Sequence, residues 1–430
     1  MGGGGDGSAD SPGQEARCKT GYRTASAGST FLVSTYTDNA VLAHCPKGQE
    51  GQGIYTLHLD DCTGRITKVA TSELGPNPAF LIRHPTLPNI VYASTERISS
   101  EGEVVALELE HSGALTVLGK QSAGGKSTCY INITPDLQSM LVVNYWDAKL
   151  SVLPLDNAGR LGCSTNTYMQ PDAKYVEDNQ PTREEHWKHR QRWPHSHCAV
   201  TEPYTQAYTF VTDLGQDKVF CYKVLHCGEE NFNPTAEIQL PKGKGPRHLV
   251  FHPTVNCAYV VNELDSTVTV LSVNLEGLRD MASDDCLCHT SLQEGAVLSE
   301  MQTLSTLPET FENSMAINEH GVWKAKSHSS EIRVHPAGLL LLVGNRGHDS
   351  IAVFSIDTAR GGGLHLLQCH PSGGKTPRNF NFDNSGRFLV VGNQDSNNLT
   401  VYELDPIAGI QTQTDQIALP SPNYVYAVPV

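Results

Sequence analysis

Apolar and polar positions alternate along most of the chain with a period of two, and the alternating segments recur in a longer unit of about fifty residues. A period of two sends successive side chains to opposite faces of a strand, and the abundance of Val, Ile, Tyr and Phe in these segments favours extended backbone. Each unit reads as a short alternating strand, a Pro-containing turn, an apolar strand ending in Asn or a small residue, a polar turn and another alternating strand. The copies are NPAFLIRHPTLPNIVYASTE from Asn77, CYINITPDLQSMLVVNYWDAKLSVLPLD from Cys129 and HCAVTEPYTQAYTFVTDLGQDKVFCYKV from His197, followed by PRHLVFHPTVNCAYVVNELDSTVTVLSVN from Pro246, EIRVHPAGLLLLVGNRGHDSIAVFSID from Glu331 and PRNFNFDNSGRFLVVGNQDSNNLTVYELD from Pro377. Their turn markers, Pro85, Pro135, Pro203, Pro253, Pro336 and Asn384, step by 50, 68, 50, 83 and 48 residues. The two long steps carry polar insertions at about 164–193 and 278–328.

Six copies are legible, and a further step would overrun the chain. Segments Phe31 to Thr37 and Ile54 to Leu59 read as the second and third strands of a blade that lacks its first, and the C-terminal PNYVYAVPV supplies an inner strand. The pattern therefore predicts an all-β, seven-bladed β-propeller, closed by N- and C-terminal strands in one blade, with no open sheet edge left at the seam. A β-helix or two sandwiches would also repeat strands, but four-stranded repeats of this length favour blades. Residues 1–22 are expected to form a disordered Gly-rich tail and 23–430 a single propeller domain. The charged REEHWKHRQRW at 183–193 is the one candidate short helix.

In an up-and-down blade, the loop entering the inner strand and the turn between strands two and three lie on the same face. The entering segments GGKSTCY, WPHSHC, KGKGPRH and GGKTPRN, and the turns STERIS, VNYWDA, VNELDS, GNRGHDS and GNQDSN, thus rim one channel mouth. That rim holds His195, His197, Arg247, His248, Glu263, Arg346, His348 and Arg378, with Lys126, Lys242, Lys244 and Lys375 nearby. The opposite turns, such as HPTLP and HPAGL, read as scaffold.

Composition sharpens this picture. The chain carries 46 acidic and 31 basic residues, a formal charge of -15, which opposes the field that nucleic-acid binding needs. A locally basic rim on an acidic molecule instead points to an anionic small molecule, gripped bidentately by guanidinium groups. Arg247 and Glu263 admit either a structural ion pair or a functional role; Arg346 has no partner in its own turn except Asp349, which points to a ligand. The 12 cysteines are scattered with no CxxC pair, the N-terminus lacks an apolar signal segment and no apolar run approaches membrane-spanning length, so a cytoplasmic protein with free thiols is expected.

SAGGKST departs from a phosphate-binding loop, because Lys120 stands at the first Gly position and a strand follows where a helix must start. No G-x-S-x-G elbow occurs, so water is the expected nucleophile. His195 and His197 alternate along a strand entry as paired metal ligands do, with His248 or His348 the only completions; no metal and no cofactor is assigned.

With these residues in view, the chain resembles the propeller lactonases, the family of bacterial 6-phosphogluconolactonase and fungal carboxymuconate cyclase. The resemblance runs from about Phe31 to the C-terminus and is carried by GPRHLVFHP with VVNELDS, by GNRGHDSIAVFSID and by TPRNFNFDNSGRFLVVGNQDSNNLTVYE. It implies site residues at His197, Arg247, Glu263 and Arg346, with His195, His248, Arg378 and Lys375 as substrate-binding groups. It further implies hydrolysis of 6-phosphogluconolactone in the pentose phosphate pathway, by water that His197 orients or deprotonates, with an oxyanion held by Arg346 or Arg247. The other readings are a lactone-forming cyclase acting on a muconate-like diacid and a non-catalytic propeller that binds a metabolite or protein. Where the family often has Pro-Cys-His entering an early blade, this chain has Thr128, Cys129 and Tyr130.

Overall fold

The alternating segments form seven four-stranded antiparallel sheets in the computed structural model, which describes residues 1, 28–44, 46–171, 188, 190–224, 227–228, 232–283, 297–317 and 323–430. Blade 1 joins the two ends of the chain, pairing Pro422–Ala427 with Gly28–Thr35, then Gly53–Asp60 and Ile66–Glu73. Val33 faces Val425 on one side and Tyr55 on the other, so the seam is a continuous ladder. The remaining blades each use four consecutive strands. Their inner strands are Pro78–Arg83, Thr128–Ile133, Ser196–Thr201, Pro246–Phe251, His328–Val334 and Pro377–Phe382 for blades 2 to 7.

Both faces of each sheet are covered by the neighbouring blades, which is why second strands such as SMLVVN and CAYVVN read as apolar runs and are buried throughout. Between blades 5 and 6, Tyr259, Val261 and Val270 pack on Ile332, Leu341 and Phe354; between blades 6 and 7, Leu340, Leu342 and Val353 pack on Phe380, Leu389 and Tyr402.

The HP turns of the far face are built by the residue before the turn Pro. His252 Nδ1 accepts from the N–H groups of Thr254 and Val255 at 3.1 and 2.9 Å, and its Nε2 reaches Gly338 O of the next blade at 2.8 Å. His335 repeats the arrangement with Ala337 N and with Gly386 O. At the same repeat position, Glu202 accepts from Tyr204 and Thr205, and Asp383 from Ser385 and Phe388. All four side chains cap turns, and the two histidines also latch blades, as expected of scaffold.

Two elements lie outside the blades. The α-helix Leu275–Ser283 was not legible as a period, being only about two and a half turns long; Asn274 caps it by accepting from Gly277 N at 3.2 Å, and it buries Leu278 and Met281. A short hairpin pairs Met315–Ile317 with Trp323–Ala325. Of the stretch expected as a helix over 183–193, the described Arg190 to Trp193 run as turn and bend; the rest, apart from Lys188, lies outside the described residues, as do residues 2–27 of the N-terminal segment. Among the described residues no helix is long and apolar enough to cross a membrane, and eight cysteines are free thiols.

Candidate active site

Two positions in every blade aim side chains into the near mouth of the channel. The first follows a buried Asn, Asp or Thr near the end of the second strand: Thr35, Thr95, Asn144, Asp213, Asn262, Asn345 and Asn393 precede Tyr36, Glu96, Tyr145, Leu214, Glu263, Arg346 and Gln394. The Asn side chains anchor the turn by donating to carbonyls, Asn144 to Ala123, Asn345 to Thr306 and Asn393 to Ser372, at 2.7 to 3.0 Å.

The second position is a β-bulge at the start of the inner strand. The ladder skips Cys129, His197, Arg247, Arg378 and Asn423, and in blades 2 and 6 it skips a pair, Ala79 with Phe80 and Ser330 with Glu331. A bulged residue has no cross-strand partner and its side chain is re-aimed, here towards the axis. In five blades a left-handed residue stands just before this strand, Asn77, Ser127, Gly245, Thr376 or Ser421, and in four of them Pro follows and starts the strand.

Blades 4, 5 and 6 place the chemistry on these two rings. Glu263 Oε2 lies 3.3 Å from Arg247 Nε and 3.2 Å from Arg346 Nη2, while Oε1 lies 3.0 Å from Arg190 Nη2. Arg247 also donates to Ser330 O at 2.6 Å and Arg346 to Ser329 O at 2.8 Å. Burial alone would raise the Glu263 carboxyl, but Arg346, Arg190 and Arg247 together hold it well below the usual carboxylate range. Burial, with repulsion from Arg247 and Arg378, pulls Arg346 down to about 10.

His197 stands beside this cluster. Its ring meets His248 edge-on at 5.0 Å and Tyr145 at 5.3 Å, and its Nδ1 is buried with no hydrogen-bond partner among the described residues. Burial, then Arg247 and His248, drive its pKa well below 6.5, so the imidazole is neutral and keeps a ring nitrogen with no partner among the described residues. One step deeper, His248 Nδ1 lies 3.2 Å from Glu331 Oε1, and Asn379 holds the other carboxylate oxygen. Burial brings His248 down to about 4, despite that carboxylate.

The other expected rim residues divide. Arg378 pairs with Glu96 at 3.7 Å and lies over the Tyr36 ring at 5.2 Å, and Tyr36 Oη donates to Glu96 at 2.5 Å. His195 does not pair with His197: it stacks on Tyr145 at 4.5 Å, with Nδ1 2.9 Å from Tyr145 O. Lys375 is exposed, Lys244 is taken by Asp265 at 2.6 Å, and His348 packs on Phe311 and meets Ser350. Arg346, whose own turn offers only Asp349, is paired by Glu263 of the adjacent blade. Tyr130 occupies the place expected for a family histidine, packed at 4.1 Å on Phe80.

Sequence reasoning missed Arg190, Tyr145, Tyr36, Glu96 and Glu331. Tyr36, Glu96 and Tyr145 carried a usable signal, since they share the repeat position of Glu263 and Arg346. Arg190 carried none: it belongs to an insertion with no counterpart in the other repeats.

At the centre of the channel Tyr36, His197, Arg247, His248 and Arg378 surround a void of only about 30 Å³. A larger cavity of about 430 Å³ opens at the far mouth, lined by Phe80, Tyr130, His248, Glu331, Arg333 and Tyr424. The near mouth nevertheless holds the concentrated chemistry. In the far cavity Glu331 is committed to His248, and Arg333 lies at 3.9 Å from Glu331 and donates to Phe380 O.

A family model described as "Lactonase, 7-bladed beta-propeller" matches residues 30–427. The chain is 29% identical over 364 residues to a Bacillus subtilis protein named 6-phosphogluconolactonase, covering 83% of this chain and 89% of that one. It is 26% identical over 387 residues to a Formosa agariphila protein of the same name, covering 88% and 93%. The crystal structure of a periplasmic gluconolactonase from Pseudomonas aeruginosa shares the fold, with a TM-score of 0.72 at 24% identity over 94% of this chain and all of that one.

Proposed function

The chain belongs to the seven-bladed β-propeller lactonase family, and from that premise we propose that it hydrolyses an anionic sugar lactone at the near mouth of the channel, with 6-phospho-D-glucono-1,5-lactone as substrate. The observation that carries this reading is a buried carboxylate bracketed by three arginines beside a neutral histidine whose Nδ1 has no partner among the described residues.

In this mechanism His197 accepts a hydrogen bond from water and orients it on the lactone carbonyl, taking its proton as the C–O bond forms. Arg346 and Arg247 donate to the oxyanion that develops; in a water-poor site such donors contribute about 2.7–4 kcal/mol each. Glu263 fixes both guanidiniums in place before substrate arrives, so little reorganisation is left for the transition state. The tetrahedral intermediate collapses with cleavage of the ring C–O bond, and the proton held by His197 passes to the departing ring oxygen. Water is consumed, and an open-chain acid and a hydroxyl group result.

The site of action we propose is the cytoplasm, in keeping with the free thiols, and the place in metabolism is the step after sugar-phosphate oxidation to a lactone. Freshly generated 6-phosphogluconolactone, with product formation coupled to a dehydrogenase and the spontaneous rate subtracted, tests the reading. Acceleration by the protein is expected. A rate equal to the spontaneous one overturns the substrate assignment and leaves a propeller that binds without turning over.

A further inference from the structure

Three guanidiniums around one carboxylate leave two positive charges unmatched at the near mouth, in a molecule whose overall charge is strongly negative. The three are not equivalent. The side chains of Arg247 and Arg346 are 6% and 18% exposed and share Glu263 Oε2, and each also donates to a backbone carbonyl of blade 6. Arg190 is 37% exposed, takes the other oxygen alone, and its second contact is the Tyr145 hydroxyl at 2.8 Å. It can release Glu263 without leaving the carboxylate unpaired.

Arg190 is also not part of the propeller repeat. It comes from the insertion between blades 3 and 4, and the hairpin inserted between blades 5 and 6, which carries Lys324, leads the chain past the Arg346 turn, where the Lys326 carbonyl abuts Gly347. Lys324 is close enough for Arg346 and Arg190 to disfavour its charge, after burial. A third segment, between the second and third strands of blade 1, brings His44, whose Nε2 is buried with no hydrogen-bond partner among the described residues. Arg190 and Lys324 thus add positive charge beside the catalytic cluster, and His44, neutral there, adds a ring nitrogen with no partner among the described residues.

We propose that Arg190 and Lys324 form a subsite for the anionic group of the substrate, a phosphate dianion remote from the lactone carbonyl, and that Arg190 is the residue that selects phosphorylated over neutral lactones. This rests on the reading of the near mouth as the hydrolytic site. Two unmatched positive charges equal the charge of one phosphate dianion, and a guanidinium presents paired donors to its oxygens. Arg190 exchanges Glu263 Oε1 for the phosphate, while Arg247 and Arg346 keep Glu263 paired.

The test compares 6-phosphogluconolactone with glucono-1,5-lactone for wild type, Arg190→Gln, Arg190→Lys and Lys324→Ala. Loss of a charged hydrogen-bond pair predicts that Arg190→Gln lowers kcat/KM for the phosphorylated lactone about 10- to 100-fold, mainly through KM, and changes the neutral lactone less than about threefold. Arg190→Lys recovers part of the loss, and Lys324→Ala gives a smaller loss of the same selectivity. Equal losses on both lactones would make Arg190 only a prop for Glu263 and overturn the proposal, as would no loss on either. Calorimetric titration with 6-phosphogluconate and gluconate reads the subsite independently of turnover. If wild type hydrolyses neither lactone, the hydrolytic reading fails by itself, whereas the subsite stands only if wild type binds 6-phosphogluconate over gluconate and Arg190→Gln loses that preference about tenfold or more.

Discussion

Glu263 is the residue on which the mouth depends. Its charge is held by three cations, so Glu263→Gln leaves three guanidiniums crowded around a neutral amide. Removing one partner from a buried charge cluster costs about 3–5 kcal/mol, and urea unfolding of this variant is expected to show a loss of that order together with a fall in kcat/KM of about 100-fold or more. A variant as stable and active as wild type would refute the hub. His197 makes a second prediction at this scale. Because burial, then Arg247 and His248, depress its pKa, it stays in the neutral, proton-accepting form well below pH 6.5, so the acid limb of kcat/KM is expected well below the ordinary imidazole value. His197, Arg247, Glu263 and Arg346 were all legible in the sequence as positions, because the repeat assigns each to one face. Their partners were not legible, since the Glu263–Arg346 contact joins blades 83 positions apart and Arg190 sits in an insertion outside the repeat.

Bulges and capped turns divide the labour within the blades: the near end of the inner strand is bulged in all seven, while the far end caps its turn and, through His252 and His335, ties one blade to the next. His252 belongs to the second group. His252→Ala loses two turn hydrogen bonds and the latch to Gly338 O, which predicts about 1–3 kcal/mol of lost stability with kcat/KM within about twofold of wild type. Thermal melting and a rate assay on the same sample check both halves; lost activity in a stable variant would connect this face to the chemistry. The Pro turns and the strand-ending Asn were plain in the sequence because they recur. The bulges were not, since a single skipped residue leaves strand alternation on either side nearly unchanged, and the α-helix Leu275–Ser283 is too short to establish a period against its surroundings.

The whole ring depends on one seam and on one protonation pattern. Removing residues 420–430 takes away the inner strand of blade 1 and exposes the ladder of Gly28–Thr35; the truncated chain is expected to lose its cooperative melt and to aggregate through that open edge. Retention of a wild-type melt would show that closure is dispensable. Acid is expected to destabilise the molecule. Burial brings His195 and His248 down to about 4 and drives His44, His197 and His328 well below 6.5. These histidines bind protons in the unfolded chain before the folded one, so the stability present above pH 6.5 is lost as pH falls from there towards 4, and Glu331, held down to about 2, adds its own loss below 4.5. Asp213, which burial raises to about 6, opposes this between pH 6 and 3.8, and Asp217 and Asp265, raised by burial too, act with it, three carboxyls against seven histidines once His84 and His348 are counted. A melting temperature that stayed level or rose from pH 7 to 4.5 would contradict this balance. The account as a whole rests on chemistry at the near mouth and not in the larger cavity at the far one. It is tested most directly by the hydrolysis rate of 6-phosphogluconolactone for wild type, His197→Ala, Arg346→Ala and the far-cavity variant Arg333→Ala, each confirmed folded by its melt. The account predicts losses of about 100-fold or more for the first two variants and a near wild-type rate for the third; loss of activity in Arg333→Ala with the near-mouth variants still active would contradict it.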